Sequence, residues 1–262
     1  MVRRDFCNKM KELWLPNYNV RLKNKIDVVV IHAARQKCAK DLIDILIERE
    51  LSAHYVIDEK GEVYHLVPEE CRAWHAGAGT WNGERDINSN SIGIELCNGL
   101  FGEEAYTKVQ MEALMELCLD IKRRYNIEAN NFIGHSDMAP TRKIDPGSFF
   151  DWKEFAKEGI GLWYEMRKNI DIKSQDCPKV LEEIGYGVEN IEATEWAFLR
   201  HYNPNLYRFL GGKKGANEGN IKGIKLSDNP LFLRTLCSVR DSFREYKNKT
   251  NEIMWLMDAK QR

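Results

Sequence analysis

Two histidines close apolar runs in this chain: His32 ends VVVIH and His135 ends NFIGH. The second runs straight into GHSDMAPTRKIDPG, Gly134 to Gly147, where a histidine, two aspartates, an arginine, a lysine and two prolines share a segment with almost nothing apolar. Either histidine alone reads as a satisfied core imidazole. If the two strand ends are neighbours, however, both rings converge, and Asp145 adds a carboxylate from a loop pinned by Pro140 and Pro146. Two imidazoles and one carboxylate are three of the four tetrahedral positions that zinc takes, with the fourth left open as in catalytic sites. That chemistry also needs a proton acceptor and a donor for a developing oxyanion. Glu95 interrupts the apolar SIGIEL, where an unpaired carboxylate costs on the order of several kcal/mol of desolvation; the same residue also suits the solvated face of an edge strand. Lys143 lies two residues before Asp145, so in an extended segment both side chains point the same way. As an ordinary surface lysine it would need no such partner.

These residues require a scaffold. IDVVVIHAA, residues 26–34, is rich in β-branched residues without alternation and reads as a central strand buried on both faces. CAKDLIDILIERE is an amphipathic helix through Leu42, Ile43, Ile45, Leu46 and Ile47. HYVID and EVYHLVP flank Glu59-Lys60-Gly61 as a hairpin. SIGIEL is a further strand, and Thr107 opens a helix to Tyr125 with Val109, Leu114, Leu117, Cys118 and Ile121 on its apolar side. The expected fold is α/β: a mixed central β-sheet flanked by helices over 26–165, preceded by an N-terminal extension (1–25) and followed by a small C-terminal helical domain (175–262). In that last part Pro178 starts a helix that ends in glycines, Ile191–Tyr202 forms a second, and Pro230–Lys247 a third, with a mobile Gly/Lys/Asn-rich stretch at 211–223.

Composition narrows the partners. Lys+Arg number 39 and Asp+Glu 40, so there is no basic field of the kind that draws nucleic acid or an anionic membrane. Seven scattered cysteines without a CxxC pair suggest a reduced chain whose thiols act as small buried hydrophobes. No apolar run approaches about 18 residues, so no membrane span is expected. The N-terminus lacks a signal-peptide core, which gives a cytoplasmic address, or a periplasmic one if a leader has been removed. Nothing here fixes an oligomeric state.

In their order, VVVIHAA, LSAHYVIDEKGEVYHLVPEECRAWHAG, NSNSIGIEL and GHSDMAPTRKIDPG resemble the zinc-dependent N-acetylmuramoyl-L-alanine amidases of the AmpD type, relatives of the phage lysozyme amidases and the peptidoglycan recognition proteins. The likeness runs from about residue 26 to 158. It implies Zn2+ on His32, His135 and Asp145, Glu95 as the catalytic glutamate, and Lys143 polarising the scissile carbonyl or steadying the oxyanion. The implied reaction is hydrolysis of the amide between N-acetylmuramic acid, or its 1,6-anhydro form, and the L-alanine of the stem peptide, with peptidoglycan or its fragments as partner in bacterial wall turnover or recycling. His54, Trp74, His75, Arg85, Asn88 and Arg142 fall in matching segments and are candidates to line the substrate groove. Ala33 departs from the residues relatives often carry after the first ligand, and the spacing of Arg85 to Asn88 ahead of SIGIEL is shifted by one residue. VLEEIGYGVENIEATEWAFLRHYNP is similar to a three-helix peptidoglycan-binding module, with Trp196, Phe198 and Tyr202 as its core. A non-catalytic recognition protein of the same fold is the alternative; such proteins usually lose a metal ligand, whereas His32, His135, Asp145 and Glu95 are all present. A zinc hydrolase of this fold acting on another acyl-amino acid bond is a third. His65 and His201 receive no role.

Overall fold

The computed structural model describes residues 10–23, 25–100, 102–212 and 224–260. In chain order the elements that matter are β1 (Lys11–Glu12), β2 (Tyr18–Val20), β3 (Val28–Ala34), α1 (Ala39–Glu48), β4 (Tyr55–Ile57), β5 (Val63–His65), β6 (Cys71–Ala73), α2 (Ile87–Asn90), β7 (Ser91–Cys97), α3 (Lys108–Tyr125), β8 (Phe132–Gly134) and α4 (His135–Met138). The helices α5 (Trp152–Lys157), α6 (Cys177–Ile184), α7 (Ile191–Tyr202), α8 (Pro204–Phe209) and α9 (Pro230–Lys260) complete it.

Six strands form one sheet in the order β1-β5-β4-β7-β3-β8. β4, β7, β3 and β8 run parallel as neighbours, while β4 and β5 form the antiparallel hairpin expected around Gly61, with Val56 opposite Tyr64. All seven residues of β3 are buried, as a β-branched run without alternation requires of a strand covered on both sides. The two covers differ. On one face Val29, Ile31, Ile92, Ile94 and Phe132 meet Leu114, Leu117, Cys118 and Ile121 of α3 together with Phe150 and Phe155. On the other, Val28, Val30 and Ile133 join one cluster with Leu181, Ile184, Phe198, Phe232 and Phe243 of the C-terminal helices. Further along that second face Ala34, Val56 and Cys97 meet Leu42, Ile43 and Leu46 of α1. Strand alternation puts His32 and Glu95 on this second face, in the gap between its two apolar clusters.

Local signals explain the helix ends. Thr107 caps α3 by accepting the Gln110 N–H, and Asn126 closes it at φ 52°. Asn190 caps α7 through the Ala193 N–H, and Pro204 occupies the first turn of α8. Some expectations shift. Ile47 and Val109 face solvent, because the buried stripes of α1 and α3 are narrower than their apolar residues suggest. The last helix continues past Lys247 to Lys260. Within residues 1–25, β1 adds an edge strand to the main sheet and β2 pairs with β6. The stretch 213–223, expected to be mobile, lies outside the described residues.

Because the helices after residue 170 share a cluster with β3 and β8, they should unfold with the sheet. Phe198→Ala removes a ring with no exposed surface and should cost about 3–5 kcal/mol. Urea titrations followed by far-UV dichroism and by tryptophan fluorescence should show one shared midpoint that moves down together; two separated transitions would contradict the shared core.

Candidate metal centre

Register builds the site before any side chain is considered. His32 of β3 lies opposite Glu95 of β7, and Ile31 lies opposite Gly134 of β8, so His135 comes next in the same row. The carboxyl ends of neighbouring parallel strands therefore deliver His32, Glu95 and His135 side by side. Asp145 returns to the row because the loop folds back on itself: the Ser136 N–H donates to the Asp145 carbonyl at 2.9 Å. The result is tight. His32 Nδ1 is 2.8 Å from His135 Nδ1, and Asp145 Oδ2 is 3.1 Å from His135 Nδ1 and 3.4 Å from His32 Nδ1. All three residues are buried, and they form a group able to hold a metal ion.

The hydrogen bonds at the far edges of the rings decide which nitrogens carry protons. His135 Nε2 faces the Ala76 carbonyl at 2.9 Å; a carbonyl only accepts, so Nε2 carries the proton and Nδ1 of the neutral ring is a bare lone pair. For His32 the chain is longer. The Ser91 hydroxyl donates to the Ile87 carbonyl at 2.5 Å, leaving its oxygen to accept from His75 Nε2 at 3.2 Å. His75 Nδ1 then accepts from His32 Nε2 at 3.0 Å, and His32 Nδ1 is bare as well. Two imidazole lone pairs and a carboxylate oxygen thus converge with no proton left to separate them. That is the donor set a divalent cation requires, with each ring's other nitrogen anchored by the protein.

Electrostatics point the same way. Burial pushes His32 down to about 3 and holds His75 well below the usual imidazole range, keeping both neutral. Burial alone would raise Asp145; its carboxyl is held well below the ordinary value only by positive charge at the His135 and His32 edges that face it, the position a metal cation would fill. Glu95 behaves oppositely: burial, reinforced by Asp145, raises it to about 8 against the pull of Lys143. Its Oε1 lies 3.9 Å from His32 Nδ1, so a carboxyl poised near neutrality borders the donor cluster.

The remaining candidates separate. His54 has no exposed surface; its Nδ1 accepts from the Gly93 N–H at 3.0 Å, and its Nε2 lies 2.9 Å from the Arg21 guanidinium and 3.2 Å from the Cys71 carbonyl. It joins strands and lines no groove. Asn88 is also buried, its Oδ1 accepting the His75 and Ala76 N–H groups and so shaping the segment that holds His135. His75 serves His32 rather than a groove. An added Cβ at Gly93 would come within 2.4 Å of the His75 ring, so the imidazole lies directly on the strand where a side chain is missing. The Arg142 guanidinium is committed to the Ala76 carbonyl and, at 2.6 Å, to Ala78. Trp74 is half-buried, its Nε1 donating to Asn19 Oδ1 at 2.8 Å, and Arg85 is exposed, 3.3 Å from Glu189. Trp196, Phe198 and Tyr202 are buried in the shared core, as their helical spacing suggests.

Asp137 and His201 were not assigned a role from sequence. They meet at 2.7 Å, both buried. The signal was present in part, since Asp137 sits within the same polar loop as His135.

The chain is similar to known proteins. A family model described as N-acetylmuramoyl-L-alanine amidase, Amidase_2, matches residues 22–148. The N-acetylmuramoyl-L-alanine amidase AmiD of Escherichia coli (strain K12) is 32% identical over 213 residues, covering 70% of this chain and 77% of that protein. The 1,6-anhydro-N-acetylmuramyl-L-alanine amidase AmpD of Enterobacter cloacae is 46% identical over 105 residues, covering 40% of this chain and 55% of AmpD. A solved complex of AmiD from E. coli with the substrate anhydro-N-acetylmuramic acid-L-Ala-D-gamma-Glu-L-Lys matches with a TM-score of 0.67 at 28% identity, covering 84% of this chain and 89% of that one. With AmiD matched over more than two thirds of its length, the chain belongs to the Amidase_2 family of N-acetylmuramoyl-L-alanine amidases.

Proposed function

We propose that the protein hydrolyses the amide between the lactyl group of N-acetylmuramic acid, or its 1,6-anhydro form, and the L-alanine of a stem peptide, with zinc held by His32, His135 and Asp145. The observation that carries this reading is the convergence of three unprotonated donor atoms within 2.8–3.4 Å of one another, bordered by a carboxyl raised to about 8. Two imidazoles and one carboxylate suit zinc and leave room for a further ligand. Bound there, zinc supplies a Lewis acid for the scissile carbonyl and lowers the pKa of water.

The chain's own residues do the rest. Glu95 takes a proton from the attacking water and returns it to the leaving amine, a role that suits a carboxyl poised near neutral pH. The Lys143 ammonium, close enough to oppose the burial of Glu95, steadies negative charge on the carbonyl oxygen. His75 and the Ala76 carbonyl hold the two imidazoles in the tautomers that keep Nδ1 available. A cleft of about 380 Å³ beside the loop, lined by Thr80, Arg85, Pro140, Arg142 and Glu189 among others, is a seat for the distal part of a peptidoglycan fragment. Trp74, Arg85 and Arg142 are the candidates that remain for substrate contact. The recognition-only alternative is disfavoured because the metal ligands and Glu95 are all in place. No helix among the described residues is long and apolar enough to cross a membrane, and the six described cysteines carry free thiols.

Purified protein should contain one zinc per chain by elemental analysis. Glu95→Ala should retain that zinc while release of stem peptide from an anhydro-muropeptide falls by roughly 10²–10⁴-fold. A chain without zinc, or an undiminished Glu95→Ala enzyme, would sink the mechanism. Glu95 also makes a pH prediction for metal-free protein. A carboxyl raised on folding contributes stability that is intact below its unfolded value and is lost as pH rises through about 8. Glu95→Gln should therefore match the parent near pH 4 in urea unfolding and exceed it at pH 9 by on the order of a few kcal/mol; equal stability at both pH values would refute the raised carboxyl.

A further inference from the structure

The C-terminal helices reach the metal centre through one carboxylate. Asp137, two residues beyond His135, is 1% exposed. Its Oδ2 accepts the Gly134 N–H at 2.7 Å, so it holds the last residue of β8, the one that hands the chain to His135. The same Oδ2 faces His201 Nδ1 of α7 at 2.7 Å, and Oδ1 accepts the Tyr186 hydroxyl at 2.8 Å from the turn after α6. Since a carboxylate only accepts, both side chains act as donors here. His201 is fixed in turn by stacking on Trp152, ring centroids 4.1 Å apart and planes within 10°. Tyr186 is fixed by an edge contact with Trp81 at 5.2 Å. The other end of the loop is held as well: Arg208 of α8 donates to the Ser148 carbonyl and lies 4.7 Å over the Phe149 ring, just beyond Asp145.

We infer that Tyr186 and His201 are positioning residues for the metal centre: by saturating Asp137 they lock the β8 end that carries His135, which makes the helical segment part of the active-site scaffold. This rests on the reading that His32, His135 and Asp145 hold zinc. Without the two donors, Asp137 is a buried carboxylate short of partners. It must draw in water or turn, and the Gly134 peptide that aims His135 is released with it. The charge stays on the loop, so the loss falls on geometry and not on ligand identity.

The test is zinc affinity of the full chain, measured by competition with a chromophoric chelator, with thermal unfolding of the metal-free forms alongside. Tyr186→Phe removes only an oxygen, and His201→Leu removes the donor while filling the space. Each should raise the zinc dissociation constant about tenfold or more, the range found when residues behind a metal ligand are lost. His201→Asn, whose amide nitrogen can stand in for Nδ1, should recover most of that loss. Leu236→Ala, a fully buried change elsewhere in the same helical core, should lower thermal stability and leave the dissociation constant within about twofold. Parent-like zinc binding in both Tyr186→Phe and His201→Leu, or an equal shift in Leu236→Ala, overturns the inference while leaving the zinc site standing. A parent that binds no zinc overturns both.

Discussion

One row of a parallel sheet is the constraint on which everything else depends. His32, Glu95 and His135 are neighbours because β3, β7 and β8 are paired in a register that aligns their carboxyl ends. A slip of one residue in the β3–β7 pairing would turn His32 or Glu95 to the opposite face, into the cluster packed under α3. The site's geometry is thus inherited from main-chain hydrogen bonds. The apolar cover on both faces, which looks remote from chemistry, is what forbids the slip.

Burial then sets the chemistry. The same exclusion of water lowers His32 and His75 and raises Glu95, so the imidazoles stay neutral while the carboxyl keeps its proton to higher pH. Asp145 escapes the general upward push on acids only while positive charge stands at the ring edges that face it. Polar groups in such a gap must be paired, and the pairing runs outward through His75, Ser91, Ala76 and Asn88. This is why His54 and Asn88, which resemble groove-lining positions in sequence, are buried in the frame behind the donor cluster.

Much of this was legible in the chain. β-branched runs ending in histidine gave away the strand ends, and a polar loop between prolines gave away the return of a carboxylate. Thr107 and Pro178 marked helix starts through first-turn chemistry that is local by nature. The depth of each histidine was not legible: His54 and His75 sit in equally polar contexts in sequence, and only the packing around β4 and β7 shows that His54 Nδ1 is spent on the Gly93 N–H while its Nε2 is covered by Arg21 and the Cys71 carbonyl. Nor could the pattern reveal that residues beyond 170 close over the sheet, because Tyr186 and His201 meet Asp137 across 49 and 64 positions. Long-range polar pairs leave no periodicity to read.

Gly93 carries a consequence for how the site can vary. Its missing side chain is replaced by the ring of His75, which occupies the space where a Cβ would stand, 2.4 Å from the nearest ring atom. Positions 75 and 93 therefore share a single volume, filled from one side only. Substitutions at the two cannot be additive: a methyl group at 93 is tolerable only with a smaller residue at 75, and that smaller residue no longer reaches His32. The pair can drift only by giving up the hydrogen bond to His32 Nε2, so a glycine far from any turn is tied to the donor chemistry of the site.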